Sequence, residues 1–205
     1  MFSYNKFLEY PVKVRNKNPR LANIVITQYG GPNGELGASL RYLSQRFTMP
    51  DNITKGLLTD IGTEELGHLE IVGSLVKQLS GGSPPDEWSK MGSWEYYSDN
   101  GASVFPQNSQ GTPFNAASIA VTGDPLTNLY ENLAAEQKAR AVYDNILRLS
   151  DDPDVNDVIR FLREREIVHF QRFGEAKRKL TSRKKAHSLR CFAAPIKYKS
   201  YDIEL

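Results

Sequence analysis

Apolar residues recur at helical spacing in four stretches of the chain. In the second, Ile61, Glu65, His68 and Val72 fall at i, i+4, i+7 and i+11, and Leu58 and Leu75 join the same face. The first stretch, from about 20 to 47, carries Leu21, Ile24, Val25 and Gln28 in its early turns and Glu35, Ala38, Tyr42 and Gln45 on one later face. Between these lies Gly30-Gly31-Pro32-Asn33-Gly34, which predicts one helix kinked or opened at that point. The alternative is a plain loop joining two short helices. Asp51 is a candidate N-cap for the second helix, 51–79, and the Gly and Pro residues of 81–85 end it. The third helix, 125–149, opens with Asp124-Pro125 and has the stripe Leu126, Leu129, Leu133, Glu136, Arg140, Tyr143, Leu147. The fourth, 153–180, opens with Asp152-Pro153 and aligns Val155, Val158, Leu162, Glu166, His169, Phe173, Ala176 and Leu180.

Short links within each pair of helices and one long link between the pairs predict an all-α, ferritin-like four-helix bundle. The link 81–123 is far longer than a usual helix connection. Its Trp88, Trp94, Tyr96, Tyr97, Phe105 and Phe114 make it too aromatic for typical disorder. It is expected to be an ordered crossover, packed on the bundle or on a neighbouring subunit. Residues up to 19 read as extended, with Tyr4, Phe7 and Tyr10 as anchors and Pro11 against a long helix. The expected organisation is one domain over 1–180 and a tail over 181–205, basic at first and then aromatic and extended.

A formal net charge of +2 gives no concentrated basic surface for nucleic acid. No apolar run is long enough for a membrane span, and Met1 to Val14 lacks the apolar core of a secretory signal. Cys191 is the single cysteine, so no internal disulfide forms, which fits a reducing compartment. Synthesis in the cytoplasm is therefore expected.

Each predicted helix places one acid in its apolar stripe: Glu35, Glu65, Glu136 and Glu166. The second and fourth add His68 and His169 three residues after their acids. Buried carboxylates and imidazoles need partners, and the repeated Glu-x-x-His spacing aims both groups at one ion. This is the known ligand set of di-iron and di-manganese carboxylate bundles. Oxygen ligands with one imidazole each suit manganese or iron, and the lack of thiolates argues against structural zinc. Tyr42 and Arg140 are expected to flank the ligands. From the residues alone, Tyr42 and Tyr143 also read as core aromatics with a bonded hydroxyl, and Arg140 as a counter-charge or a surface stem. Glu64 and Glu70 are expected to point outward, and His187 to be solvated.

Several blocks carry a family resemblance. They are Tyr29-Gly30-Gly31-Pro32-Asn33-Gly34-Glu35-Leu36, Arg41-Tyr42-Leu43, Thr63-Glu64-Glu65-Leu66-Gly67-His68, Ala134-Ala135-Glu136 and Arg163-Glu164-Arg165-Glu166-Ile167-Val168-His169. Together they resemble the manganese catalases, and more narrowly the small catalase-like proteins of bacterial spore coats, over roughly 1–180. The resemblance implies two manganese ions per subunit. Glu65 would bridge them, Glu35 and His68 would complete one, and Glu136 and His169 the other. Glu166 would carry protons, whereas in iron-binding relatives the equivalent acid binds metal directly. Tyr42 matches an outer-sphere tyrosine of the family.

The implied activity is disproportionation of hydrogen peroxide to water and dioxygen. Two alternatives stand beside it. One is an iron-loaded ferroxidase or peroxidase of the rubrerythrin kind, although the chain lacks the cysteines of a complete rubrerythrin. The other is a structural coat protein with a relic site. The resemblance further implies a homohexamer, incorporation in a spore coat and contacts with other coat proteins.

Overall fold

Several helix starts in this chain are set by side chains that accept from the backbone. Asn18 accepts from the Leu21 N–H at 3.0 Å, Asp51 from Thr54 at 2.9 Å and Asp124 from Thr127 at 2.7 Å. Each satisfies a donor that the first helical turn leaves free. Pro19 and Pro125 follow their caps directly, where a missing N–H costs nothing. The computed structural model describes residues 7–81, 101 and 103–193, with side chains described up to 183.

The described helices are α1 (Pro19–Val25), α2 (Thr27–Gly30), α3 (Glu35–Gln45), α4 (Asn52–Ser80), α5 (Pro125–Leu149) and α6 (Pro153–Ala193). Short 3-10 turns occupy Arg46–Thr48 and Ala116–Ser118. The first predicted helix is thus not continuous: it divides into α1, α2 and α3. The chain leaves helical geometry at Gly31 and Gly34, whose ψ angles are 166° and 175°. Gly34 caps α3, so Glu35 becomes the first residue of a new helix, at its positive end. Gly30 has a separate role. A Cβ there would stand 2.2 Å from the backbone of Pro106 and Gln107, so only glycine lets the crossover lie this close.

α4 ends at Gly81, whose φ of 49° is the left-handed C-cap conformation. α6 corrects the expected end at 180, because it continues to Ala193. The stretch after Thr181 contains no Gly or Pro before Pro195, and its Lys and Arg residues favour a helix C-terminus. Tyr4, Trp88, Trp94, Tyr96, Tyr97, Tyr198 and Tyr201 lie outside the described residues, as does the side chain of His187.

Short links make α3 and α4 one helical hairpin and α5 and α6 another, and the two hairpins pack into an all-helical bundle with the ferritin-like architecture. Two apolar cores form inside it. One gathers Val25, Ile26, Ile71, Val72, Leu75, Ile146, Val155, Ile159 and Leu162. The other gathers Ala38, Leu58, Ile61, Leu129, Phe173, Ala176 and Leu180. Along α4, α5 and α6 the stripe acids and histidines fall between these cores, so the polar cluster has a dry layer on each side.

The described part of the crossover packs on the first helical segments. Asn23 donates to Ser109 O at 3.0 Å, Ser109 N–H donates to Thr27 Oγ1 at 3.1 Å and Gln45 donates to Ala120 O at 2.7 Å. The N-terminal segment lies across α4 and α6. Tyr10 stacks on Phe161 with ring centroids 4.4 Å apart and donates to Asp157 at 2.8 Å. Gln78 bonds the backbone of Val12 and Val14, and Arg15 pairs with Asp154 at 2.7 Å. Phe7, expected as an anchor, is instead 72% exposed. Among the described residues, no helix is long and apolar enough to cross a membrane.

Candidate metal centre

Glu35, Glu65, His68, Glu136, Glu166 and His169 converge at the middle of the bundle, each at most 2% exposed. Their positions follow from the helices. Glu65 and His68 project from one face of α4, Glu166 and His169 from one face of α6, Glu35 from the start of α3 and Glu136 from mid-α5.

Glu65 occupies the centre. Its Oε2 lies 2.7 Å from Nδ1 of His68, and its Oε1 lies 3.0 Å from Nδ1 of His169. One carboxylate thus faces one imidazole with each oxygen. Glu35 Oε2 stands 3.8 Å from Nδ1 of His68, and Glu136 Oε2 stands 3.7 Å from Nδ1 of His169. Potential ligand atoms of Glu35, Glu65, His68 and Glu166 all lie within 4.8 Å of one another. So do those of Glu65, Glu136, Glu166 and His169. The two groups overlap at Glu65 and Glu166.

The terminal acids are braced crosswise. Tyr42 of α3 donates to Glu136 of α5 at 2.5 Å, and Tyr143 of α5 donates to Glu35 of α3. Burial, and then the neighbouring Glu136 or Glu35, raises each phenol well above its usual pKa, so both remain donors. Tyr143 was legible only as a core aromatic, although Glu136-x6-Tyr143 repeats the spacing of Glu35-x6-Tyr42.

Arg140, expected beside the ligands, does not reach them. It bonds Asp144 at 2.5 Å and Gln137 at 3.0 Å, and its side chain is partly exposed. Asp144 also holds Arg163, so these guanidiniums form a peripheral network on α5 and α6. Glu64 corrects the opposite expectation. It turns inward, with Oε1 3.2 Å from Nε2 of His169, 3.6 Å from Nε2 of His68 and 2.6 Å from Nε of Arg165. The i,i+4 spacing of Glu64 and His68 was the available signal. Glu9, with Oε2 3.8 Å from His68 Nε2, gave none, because the contact spans the N-terminal segment and α4.

The buried carboxylates and imidazoles shift one another strongly. Burial alone would lower His68 and His169, but the carboxylates around them win. His68 is raised to about 10 by Glu64, Glu65 and Glu35, and His169 to about 12 by Glu65, Glu136 and Glu64. Glu65 shows the converse: burial would raise it, but the two histidines hold it well below the usual range. Glu35 is raised well above that range by burial and by Glu65, and Glu166 by burial, Glu136 and Glu35.

The donor set fits a pair of divalent cations. Glu65 Oε1, Glu136 Oε2, Glu166 Oε1 and His169 Nδ1 are buried without a well-formed hydrogen bond, although they crowd together. Buried polar atoms in that state need a partner. Cations would take the place of the imidazole protons and satisfy the facing oxygens. Four carboxylates and two imidazoles with no thiolate are oxygen-rich, as manganese and iron prefer.

The family model for manganese-containing catalase matches residues 1–194, further than the roughly 1–180 of the sequence resemblance. The chain is 52% identical to Protein CotJC of Bacillus subtilis (strain 168) over 176 residues, covering 86% of this chain and 93% of that protein. It is 41% identical to a probable manganese catalase of Clostridium acetobutylicum over 182 residues, covering 88% of this chain and 81% of the relative. Among solved structures it resembles KatB, a manganese catalase from Anabaena PCC7120, with a TM-score of 0.81 and 28% identity, covering all of this chain and 87% of the other. A bundle that buries four acids and two histidines between two apolar cores, together with these matches, places the chain in the manganese-containing catalase family.

Proposed function

We propose that the chain binds two manganese ions and disproportionates hydrogen peroxide, two molecules giving two waters and one dioxygen. The observation that carries this is Glu65, which presents one oxygen to each imidazole where the two ligand groups overlap. Bound manganese supplies the two-electron redox change and Lewis acidity at the peroxide oxygens.

The protein's part is positioning and proton handling. Glu65, Glu35 and His68 would hold one ion, and Glu65, Glu136 and His169 the other. Tyr42 and Tyr143 hold the two terminal carboxylates in place by donating to their far sides. Peroxide arrives with protons that must be accepted when it is oxidised and returned when it is reduced to water. Glu166 suits that task. It is 2% exposed, its Oε1 has no hydrogen bond, and burial favours its protonated form. The apolar cores on both sides keep bulk water from competing for the proton.

Metal content and oxygen evolution measured on one purified sample test the proposal. About two manganese per chain with peroxide-dependent oxygen release supports it; manganese-loaded protein that evolves no oxygen would favour a structural protein with a relic site. Glu166→Gln that keeps both ions and full turnover would remove Glu166 from proton transfer. A second reading has an observation of its own. Glu166 lies within both ligand groups, so it can serve as a sixth ligand in an iron-loaded ferroxidase or peroxidase. Stoichiometric iron with negligible manganese, from cells supplied with both, would favour that reading.

Association with a bacterial spore coat belongs to the same proposal, supported by the likeness to Protein CotJC. So does assembly as a homohexamer, which sedimentation equilibrium of the full chain would check.

A further inference from the structure

The imidazole nitrogens that face away from the ligand cluster share one carboxylate oxygen. Glu64 Oε1 stands 3.2 Å from Nε2 of His169 and 3.6 Å from Nε2 of His68. Arg165 Nε donates to the same atom at 2.6 Å. Both imidazoles are fully buried, neither Nε2 makes an aligned hydrogen bond, and the rings stack with centroids 5.6 Å apart.

The two helical motifs explain why a single carboxylate has this position. Glu64 immediately precedes Glu65, and Arg165 immediately precedes Glu166. They occupy equivalent places beside the two Glu-x-x-His pairs and meet across the α4–α6 contact as acid and base. Only the α4 copy can accept a hydrogen bond, so it serves both rings. Glu9 closes the same corner from the N-terminal segment, with Oε2 3.8 Å from His68 Nε2. The stacked Tyr10–Phe161 pair fixes the segment beside Glu9, and Gly67 leaves its carboxylate room.

An imidazole that binds a cation through Nδ1 is neutral and carries its proton on Nε2. Buried here, that N–H has no solvent to meet. A carboxylate acceptor fixes the ring's rotation and tautomer and makes the ligating nitrogen more basic.

The geometry points to Glu64 as the positioning residue for both imidazoles, anchored by Arg165 and closed over by Glu9. This rests on the metal site proposed above. Glu64 touches neither peroxide nor the ions; it acts through His68 and His169.

Manganese binding by the full-length protein tests the assignment, with metal content read after equilibrium dialysis and the metal pair read by electron paramagnetic resonance. Glu64→Ala is expected to weaken manganese affinity about 10–100-fold and to change the spectrum of the pair. Glu64→Gln keeps an oxygen acceptor and is expected to recover part of both. If Glu64→Ala does not fold, Arg165→Ala reads the same role, since it frees the carboxylate from its anchor and is expected to lower affinity too. A Glu64→Ala or Arg165→Ala protein that takes up two manganese at wild-type affinity with an unchanged spectrum would overturn the positioning role alone. Wild-type protein that takes up no manganese would overturn the metal site as well.

Discussion

Replacing Tyr143 with Phe removes one hydroxyl and nothing else from the centre of the bundle. The ring stays, so no cavity opens and the packing contribution is unchanged. What disappears is the donor to Glu35 Oε1. Tyr143 is 0% and Glu35 1% exposed, so water does not replace it. Leaving a buried oxygen without its donor costs about 1–3 kcal/mol. In a chain of this size each kcal/mol lowers the melting temperature by about 2–4 °C, which gives an expected drop of about 2–12 °C. The assay is thermal unfolding of the metal-free protein at fixed concentration, followed by circular dichroism. Burial and Glu35 push the phenol well above its usual pKa, so Tyr143 is still a donor at neutral and mildly alkaline pH. Tyr42→Phe makes the equivalent change at Glu136. Both acids border the same Glu65 and histidine cluster, so the double variant departs from the sum of the single effects. Tyr143→Phe that melts at the wild-type temperature would refute the reasoning.

Two further predictions concern the scaffold. Gly30→Ala puts a Cβ 2.2 Å from the backbone of Pro106 and Gln107, so the crossover must move; a loss of about 1–3 kcal/mol and faster proteolysis within 103–123 are expected, and wild-type values for both would contradict the contact. Asp51→Ala removes the α4 cap and its ion pair with Arg183, an expected loss of about 0.5–2 kcal/mol in denaturant unfolding. The Thr54 N–H lowers the folded pKa of Asp51 below its usual 3.8, so the cap's contribution is complete above that value and fades as pH falls through the folded pKa. The gap between wild type and variant should therefore narrow in acid, and a constant gap would count against the carboxylate as its source.

Much of the architecture was legible because the signals are local. A capping Asp followed by Pro and a stripe that is apolar apart from Glu136 and Arg140 mark α5, and the spacing of Glu65 with His68 and Glu166 with His169 survives in the fold because one helical turn sets it. The end of α6 was not legible, since the change to basic composition after Thr181 breaks no backbone rule. Glu64 and Arg140 were misplaced for a different reason. Periodicity says which face of a helix a residue occupies, but not how widely a four-helix interior opens beside that face. Glu64 lies a turn's fraction off the stripe and is drawn in by two histidines and Arg165, whereas Arg140 lies on the stripe of its helix and is drawn out by Asp144. Glu9 depends on where an irregular segment docks, and no spacing in the sequence encodes that.

The crossed tyrosines also set the register of the two halves. The α3–α4 and α5–α6 hairpins meet along apolar seams, and hydrophobic contact has no direction of its own. A seam of Leu, Ile and Val is therefore tolerant of a slide by one turn, about 5.4 Å. Such a slide would separate Tyr42 from Glu136 and Tyr143 from Glu35 together, leaving four buried polar groups unmatched at about 1–3 kcal/mol each. The phenol that braces Glu35 comes from the other hairpin, as does the one that braces Glu136, so each half carries part of a key that fits only when the two are correctly aligned.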